Sequence, residues 1–120
     1  MATNYIADGS VIDYTASSLI TAGSVVKINK ILGVALADIA NGSTGPVQVR
    51  GVFSCPKLST AVIAQGESLT WDVSAGNFDD QLATPESGDV TGAAAYAAEA
   101  AGNGTTTVKV YFTGTPGTVT

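Results

Sequence analysis

The 120-residue chain is predicted to be all-β: a small antiparallel β-barrel or sandwich of about eight to ten short strands, with an extended N-terminal arm and a flexible C-terminal tail. Three observations predict it. Runs of β-branched residues recur at short spacing and are broken by Gly, Asn, Ser and Pro. The last run alternates cleanly, with Thr106, Val108, Val110 and Phe112 on one face and Thr107, Lys109 and Tyr111 on the other. Finally, two stretches say nearly the same thing. Gly33-Val34-Ala35-Leu36-Ala37, a polar break at Asn41-Gly42-Ser43 and Val47-Gln48-Val49 resemble Gly92-Ala93-Ala94-Ala95-Tyr96, a break at Gly102-Asn103-Gly104 and Val108-Lys109-Val110. Upstream of each sits a similar piece, Gly23-Ser24-Val25-Val26 and Gly66-Glu67-Ser68-Leu69.

The elements follow in order. Residues 1–7 form an extended arm, 8–112 one β domain and 113–120 a tail. Asp8-Gly9-Ser10 signals a turn into the β-branched run Val11–Thr15. Ala22-Gly23 turns into Ser24–Asn29, where Val26 and Ile28 share one face and Lys27 and Asn29 the other. Leu32–Ala37 is the next strand and 41–46 a loop. Val47, Val49, Gly51 and Phe53 then alternate against Gln48 and Arg50 until Pro56 ends the run. Thr60–Ile63 and Ser68–Trp71 read as strands joined across Gln65-Gly66-Glu67. Residues 72–89 interrupt the second repeat as a long loop, with a short hairpin around Ala75-Gly76-Asn77. They carry Asp72, Asp79, Asp80, Glu86 and Asp89, half of all the acids.

The stretch 91–101 is in conflict with itself. Its alanines have the highest helix propensity. Yet Gly92 and Gly102 bracket it, no apolar stripe opposes a charged face, and the repeat aligns it with a β run. The expectation is a strand, turning at Gly102-Asn103-Gly104 into Thr105–Phe112. The tail from Thr113 is Gly, Thr and Pro, either disordered or a strap that orders on a neighbour.

Composition narrows the function. Ten acids against five bases leave a net charge of −5, which argues against nucleic acid and anionic membranes as partners, since both call for basic patches. No apolar run is long enough to span a bilayer. Met1-Ala2-Thr3-Asn4 lacks the basic and apolar regions of a secretory signal, so synthesis is expected in the cytosol. Charged residues are 12% of the chain, about half the usual ~25%, and with 45% apolar residues this hints at surface covered by neighbouring subunits.

Catalytic constellations are missing. Without histidine there is no Ser-His-Asp or Cys-His pair and no ordinary catalytic zinc site. Cys55, the single cysteine, reads as a small buried apolar residue rather than a nucleophile. Gly42-Ser43-Thr44-Gly45 and Gly102-Asn103-Gly104 lack the Lys-Ser/Thr of a phosphate loop and read as hairpin turns. The acids of 72–89 fit no EF-hand spacing, so a solvated loop is preferred over a calcium site. The chain is expected to be no enzyme and to need no cofactor or metal. Trp71, between Leu69 and Val73, anchors the core or else an interface. Tyr5 in the arm either docks on a neighbour or packs on its own barrel.

The order of motifs then becomes informative. Asn4-Tyr5-Ile6, Asp8-Gly9, Tyr14-Thr15-Ala16, Gly23-Ser24-Val25-Val26, Gly33-Val34-Ala35, Gly51-Val52-Phe53, Pro56-Lys57, Gly66-Glu67-Ser68-Leu69-Thr70-Trp71-Asp72 and a late Gly-Ala-rich strand ending in Val108-Lys109-Val110 resemble the DUF2190 family of tailed-phage capsid decoration (cement) proteins across residues 4–112. Members of that family have often been called RecA/RadA-type recombinases, but this chain has no nucleotide loop and no basic DNA path. The acidic insert and the tail depart from the family pattern. The resemblance implies a non-catalytic protein on the outer surface of the virion capsid, which stabilises the expanded head at capsomer junctions. Its implied partners are the major capsid protein and itself, as a homotrimer in preference to a dimer. Asn4, Tyr5 and Ile6 in the arm, then Pro56 and Lys57, are the contact residues this implies, with the tail from Gly114 a weaker candidate. The alternative is a head- or tail-surface adhesion module that binds glycans. Such a module would want an exposed aromatic platform, and the sequence shows no aromatic cluster.

Overall fold

The computed structural model describes residues 9–120; the arm residues Asn4, Tyr5 and Ile6 lie outside them. Among the described residues there are eleven short strands and no helix. They are β1 (Val11–Thr15), β2 (Val25–Ile28), β3 (Ile31–Ala35), β4 (Thr44–Gln48), β5 (Arg50–Pro56), β6 (Thr70–Asp72), β7 (Asn77–Asp79), β8 (Val90–Thr91), β9 (Ala95–Ala97), β10 (Thr107–Thr113) and β11 (Thr118–Val119). Three sheets result, ordered β1-β4-β3-β2, β5-β10-β9 and β11-β8-β6-β7, with every strand pair antiparallel. They curl, one as a half-barrel, about two hydrophobic clusters.

The duplication is written in the backbone hydrogen bonds. Ile20 and Ile39 exchange N–H···O bonds of 2.9 and 2.8 Å; Ile63 and Ala101 do the same at 2.8 and 2.9 Å. Gly23 N–H donates to Ala35 O and Gly66 N–H to Ala97 O, both at 2.8 Å. Ala35 N–H returns to Ser24 O and Ala97 N–H to Glu67 O, both at 3.0 Å. Ala16 N–H reaches Ser43 O just as Lys57 N–H reaches Thr106 O. Gly23 and Gly66 share a positive φ (85° and 87°), as do Gly42 and Gly104 (81° and 96°) at the two Asn-Gly turns. The N-terminal motif β1-β4-β3-β2 is thus repeated by β5-β10-β9 together with the segment around Ser68, which bridges to Tyr96.

The register of the repeat differs from that read in the sequence. Ala35 corresponds to Ala97, and Val47, opposite Ala35, corresponds to Val110, opposite Ala97. The sequence alignment had placed Ala35 with Ala94 and Val47 with Val108. The cause is a run of similar small residues in which slips of two or three residues look alike. The strand pairing breaks the tie, with Ala35 opposite Val47 and Ala97 opposite Val110. Gly92, with φ 85°, is a turn and not a strand residue.

The N-terminal motif joins β2 to β3 by a tight hairpin with Asn29 at φ 55°. The C-terminal motif has β6, β7 and β8 in that place. The expected acidic loop at 72–89 is therefore partly sheet, and its expected hairpin is the β6–β7 pair, with Trp71 opposite Phe78. The stretch 91–101 is strand where it is regular, at Ala95–Ala97. Its alanines are selected by space: Ala94, Ala95 and Ala97 are buried against Phe112 and Val110 in the larger cluster, and a strand paired to β10 needs small inward residues there. Tertiary pairing overrides helix propensity.

Three further expectations are corrected. The run Val47–Phe53 is not one strand, because the chain leaves β4 at Val49 and enters a different sheet as β5. Gly51 at φ 132° allows the corner. Thr60–Ile63 contributes only a bridge, Ile63 to Ala101. The tail is neither free nor strapped to a neighbour. Val119 pairs with Val90, Gly117 N–H donates to Lys30 O at 2.8 Å, and Thr120 N–H to Asp89 O at 3.0 Å. Its β-branched Thr118 and Val119 complete the sheet edge left by β8.

The smaller cluster lies inside the N-terminal motif, on the face of Val26, Ala35 and Val47. The opposite, outer face of that motif, with Leu32 and Val34, belongs to the larger cluster. There it joins the inner face of the C-terminal motif (Cys55, Val108, Val110, Phe112) and the insert residues Trp71, Phe78 and Val90. Phe78 sits between Trp71 and Phe112, with ring centroids 4.8 and 6.1 Å away, so Trp71 is a core anchor.

Candidate functional site

Among the described residues, several groups capable of chemistry are committed to structure. Cys55 is buried, its thiol within 3.7 Å of Phe53 O, and burial pushes its pKa from 9.0 up to about 12. A thiol that stays protonated is a poor nucleophile. Among the described residues no group of three or more His, Cys, Asp or Glu is placed to hold a metal.

The acids of the insert instead accept backbone N–H bonds. Asp72 takes Ala75 N–H and Ser74 N–H, both at 3.1 Å, and the Ser74 hydroxyl at 2.9 Å. The Ala75 N–H and the Ser74 hydroxyl lower its pKa. Asp89 is buried and ties the insert together, accepting from Val73 N–H at 3.1 Å and Glu86 N–H at 2.9 Å. Glu67 accepts from Ala64 N–H and Gln81 N–H. These carboxylates shape turns, so the loop is less simply solvated than its composition implies.

Pro56 and Lys57 end β5 in different surroundings. Pro56 is exposed and lines a groove of about 430 Å³ shared with Val25 and Trp71. Lys57 is only 4% exposed. Its ammonium donates to Leu58 O and Ala61 O at 2.6 Å each, and to Ser59 O at 3.4 Å. What Lys57 can offer a neighbour is therefore the shape of loop 58–61, which carries the exposed Leu58 and is followed by the exposed Val62.

The surface carries what the interior lacks. Tyr96 and Tyr111 stand side by side on the outer face of β9 and β10, their rings stacked at 4.9 Å and 19°. Val52 lies next in the row, opposite Tyr111. Beyond them a cavity of about 260 Å³ is lined by Ser54, Thr107, Glu99 and Lys109, of which Glu99 and Lys109 form an ion pair, Oε2 to Nζ 3.1 Å. The aromatic cluster absent from the sequence is thus present in space. Alternation had already placed Tyr111 opposite the core face; that Tyr96 joins it depends on the β9–β10 register. Other exposed apolar residues are Leu19, Leu36 and Leu82, and none of them stands out in the sequence.

An architecture of rigid strands, spent carboxylates and apolar outer residues fits a protein that works by contact. A family model described as phage cement protein matches residues 6–112. The chain belongs to this family. It is accordingly a capsid-associated bacteriophage protein. No curated protein matches the chain. The match begins before Gly9 and ends within β10. It covers both motifs and the insert and leaves out the C-terminal strap.

Proposed function

We propose that this cement protein binds the outer surface of the expanded phage head where capsomers meet, acts as a homotrimer in preference to a dimer, and stabilises the shell without catalysis. The family match over residues 6–112 carries the reading. The physical logic is mass action: a protein that binds the expanded shell and not its disassembled subunits shifts that equilibrium toward the intact particle, and many copies on one lattice add avidity. Net charge −5 suits an outer face better than a DNA-lined interior. The arm residues Asn4, Tyr5 and Ile6 are proposed to add an extended segment to a capsid or sister subunit, with Pro56 and loop 58–61 shaped by Lys57 as the second contact.

The test is to mix purified protein with expanded heads stripped of decoration and measure stoichiometry and rupture temperature. Saturable binding with a raised rupture temperature is expected; failure to bind any expanded head refutes the reading. A second reading, glycan adhesion, gains one specific observation, the stacked Tyr96–Tyr111 pair beside the polar cavity at Ser54 and Thr107. Saccharide binding by the isolated protein would favour it.

A further inference from the structure

The C-terminal motif carries side chains on its outer face that the N-terminal motif does without. Thr107, Lys109 and Tyr111 alternate onto that face along β10. Tyr96 of β9 stands opposite Tyr111, and Ser54 of β5 opposite Lys109. Ala98 N–H donates to Lys109 O at 2.8 Å, so the chain leaving β9 stays beside β10 and delivers Glu99 to Lys109. In the register of the hydrogen bonds, the N-terminal motif has Val34 in the place of Tyr96, Gln48 in that of Tyr111, Pro46 in that of Lys109 and Ala37 in that of Glu99. A motif of this fold therefore forms with neither the aromatic pair nor the ion pair.

The two pairs put two kinds of chemistry side by side. Tyr96 is 37% exposed and stacks on the half-buried Tyr111. Each ring braces the other, and together they offer an apolar body with phenol hydroxyls at its tips. About 7 Å further along β10, Lys109 and Glu99 border the 260 Å³ cavity, each more than half exposed. The hydroxyls of Ser54 and Thr107 line the same cavity. A carboxylate only accepts hydrogen bonds, an ammonium only donates them, and a hydroxyl does either. Both senses of hydrogen bond are thus available within one step of an aromatic surface, the mixture of apolar lining and few placed polar groups that small-molecule sites use.

We infer that this face is a binding site for a neutral saccharide: a sugar ring lays its C–H face on the Tyr96–Tyr111 pair while hydroxyls of the same or the next ring bond Glu99, Lys109, Ser54 and Thr107. The ligand class follows from what the site would refuse. An anion meets an ammonium already neutralised by Glu99 at 3.1 Å, on a chain of net charge −5. A cation meets one carboxylate that is itself paired, and among the described residues no group of three metal-ligating side chains supports it. A wholly apolar partner would strip water from the ion pair and the hydroxyls without replacing their hydrogen bonds. A polyhydroxylated ring has an apolar face and a rim of donors and acceptors, so it meets both halves of the site. The inference rests on the glycan reading, gives it residues, and makes saccharide binding an activity beside head binding instead of a rival to it.

The experiment titrates the full, isotope-labelled chain by NMR with neutral oligosaccharides of glucose, galactose, mannose and N-acetylglucosamine, and with inorganic phosphate for contrast. Saturable shifts centred on Tyr96, Tyr111, Ser54 and Lys109 are expected with at least one of the sugars, and none with phosphate. Tyr96→Ala and Glu99→Gln alter exposed side chains, and circular dichroism with a melting curve checks that each variant folds. Tyr96→Ala is expected to weaken sugar binding ~10-fold or more. Glu99→Gln is expected to weaken it as well and, by unpairing Lys109, to admit phosphate. Leu82→Ala, exposed on the insert, is expected to bind as the wild type does. No shift at these four residues with any of the sugars overturns the site, and so does sugar binding that survives both variants. Phosphate that shifts the wild type at Lys109 more than the sugars do makes it an anion site and overturns the ligand class. Head binding is read separately with the same proteins. A Tyr96→Ala protein that still decorates expanded heads but has lost the sugar supports two independent activities. One that loses the heads and keeps the sugar makes the face a capsid contact and overturns the inference. A wild type that binds the sugar but no head refutes the cement reading alone.

Discussion

Lys57→Met tests how a lone buried cation is held. The ammonium of Lys57 sits in the interior with no carboxylate partner; among the described residues the one ion pair is Lys109–Glu99. Instead three carbonyls surround it, two of them at 2.6 Å. The repeat supplies an internal control. Ala16 holds the corresponding place in the N-terminal motif, equally buried and with the same backbone bond to the facing strand. The strand pairing of β5 therefore does not require the lysine; loop 58–61 does. Two effects compete. Removing a buried charge relieves a desolvation cost of several kcal/mol. Against this, hydrogen bonds from a charged donor contribute about 1.5–3 kcal/mol each, and a buried carbonyl left unpaired costs about 1–3 kcal/mol. Leu58 O keeps a second donor, Ala61 N–H at 3.1 Å, so the larger loss falls on Ala61 O. With two short bonds lost and the methionine filling the stem's volume, the bonds should win by about 2–3 kcal/mol. In a chain this size that lowers the melting temperature by roughly 6–15 °C. Urea and thermal unfolding measure it, and hydrogen exchange should show loosening confined to 58–63. A variant as stable as wild type, or more stable, would refute the reasoning and show that desolvation dominates.

Other outcomes follow from single contacts. Cys55 should resist thiol reagents in the native protein and react on unfolding. Its folded pKa of about 12 lies above its ordinary 9.0, so the folded state holds its proton longer. The associated stability is complete below pH 9.0 and is lost as pH rises toward about 12; comparing wild type with Cys55→Ala by urea unfolding at pH 8 and 10 isolates it, and a difference that does not change between them would contradict the assignment. Asp72 has the opposite sign. Its pKa is lowered by the Ala75 N–H and the Ser74 hydroxyl, so its contribution is present above the ordinary carboxylate range and is lost as pH falls through the lowered value. A carboxyl titration by NMR that shows no downward shift would exclude that turn. Gly45→Ala would put a methyl carbon 2.5 and 2.9 Å from two Ile39 side-chain atoms in the smaller cluster, and should cost about 1–3 kcal/mol in urea unfolding. Deleting residues 1–7 should weaken binding to expanded heads while leaving the β signal in circular dichroism; unchanged affinity would remove the arm from the contact.

Much of the fold was legible in the chain. Alternation in Thr106–Phe112 and in Ser24–Asn29 set which residues share a face, because a strand's period of two is local. The Gly23 and Gly66 turns and the Asn-Gly pairs marked corners that only a positive φ can make. Together they were enough to show that an Ala-rich stretch is sheet and that the chain repeats itself. The order of motifs was enough to suggest the cement family. Everything that depends on which strands meet was decided by tertiary packing. The repeat's true register came from Val110 facing Ala97, and the split of Val47–Phe53 into two sheets came from the corner at Gly51. The burial of Lys57 came from a loop folding over it, and the closure of the tail from an edge on β8. The same holds for the candidate site: Tyr96 and Tyr111 are fifteen positions apart in sequence and stack because β9 pairs with β10. A sequence specifies the direction each side chain leaves its own strand, but the partner it finds there belongs to another strand, and only the assembled sheets bring the two together.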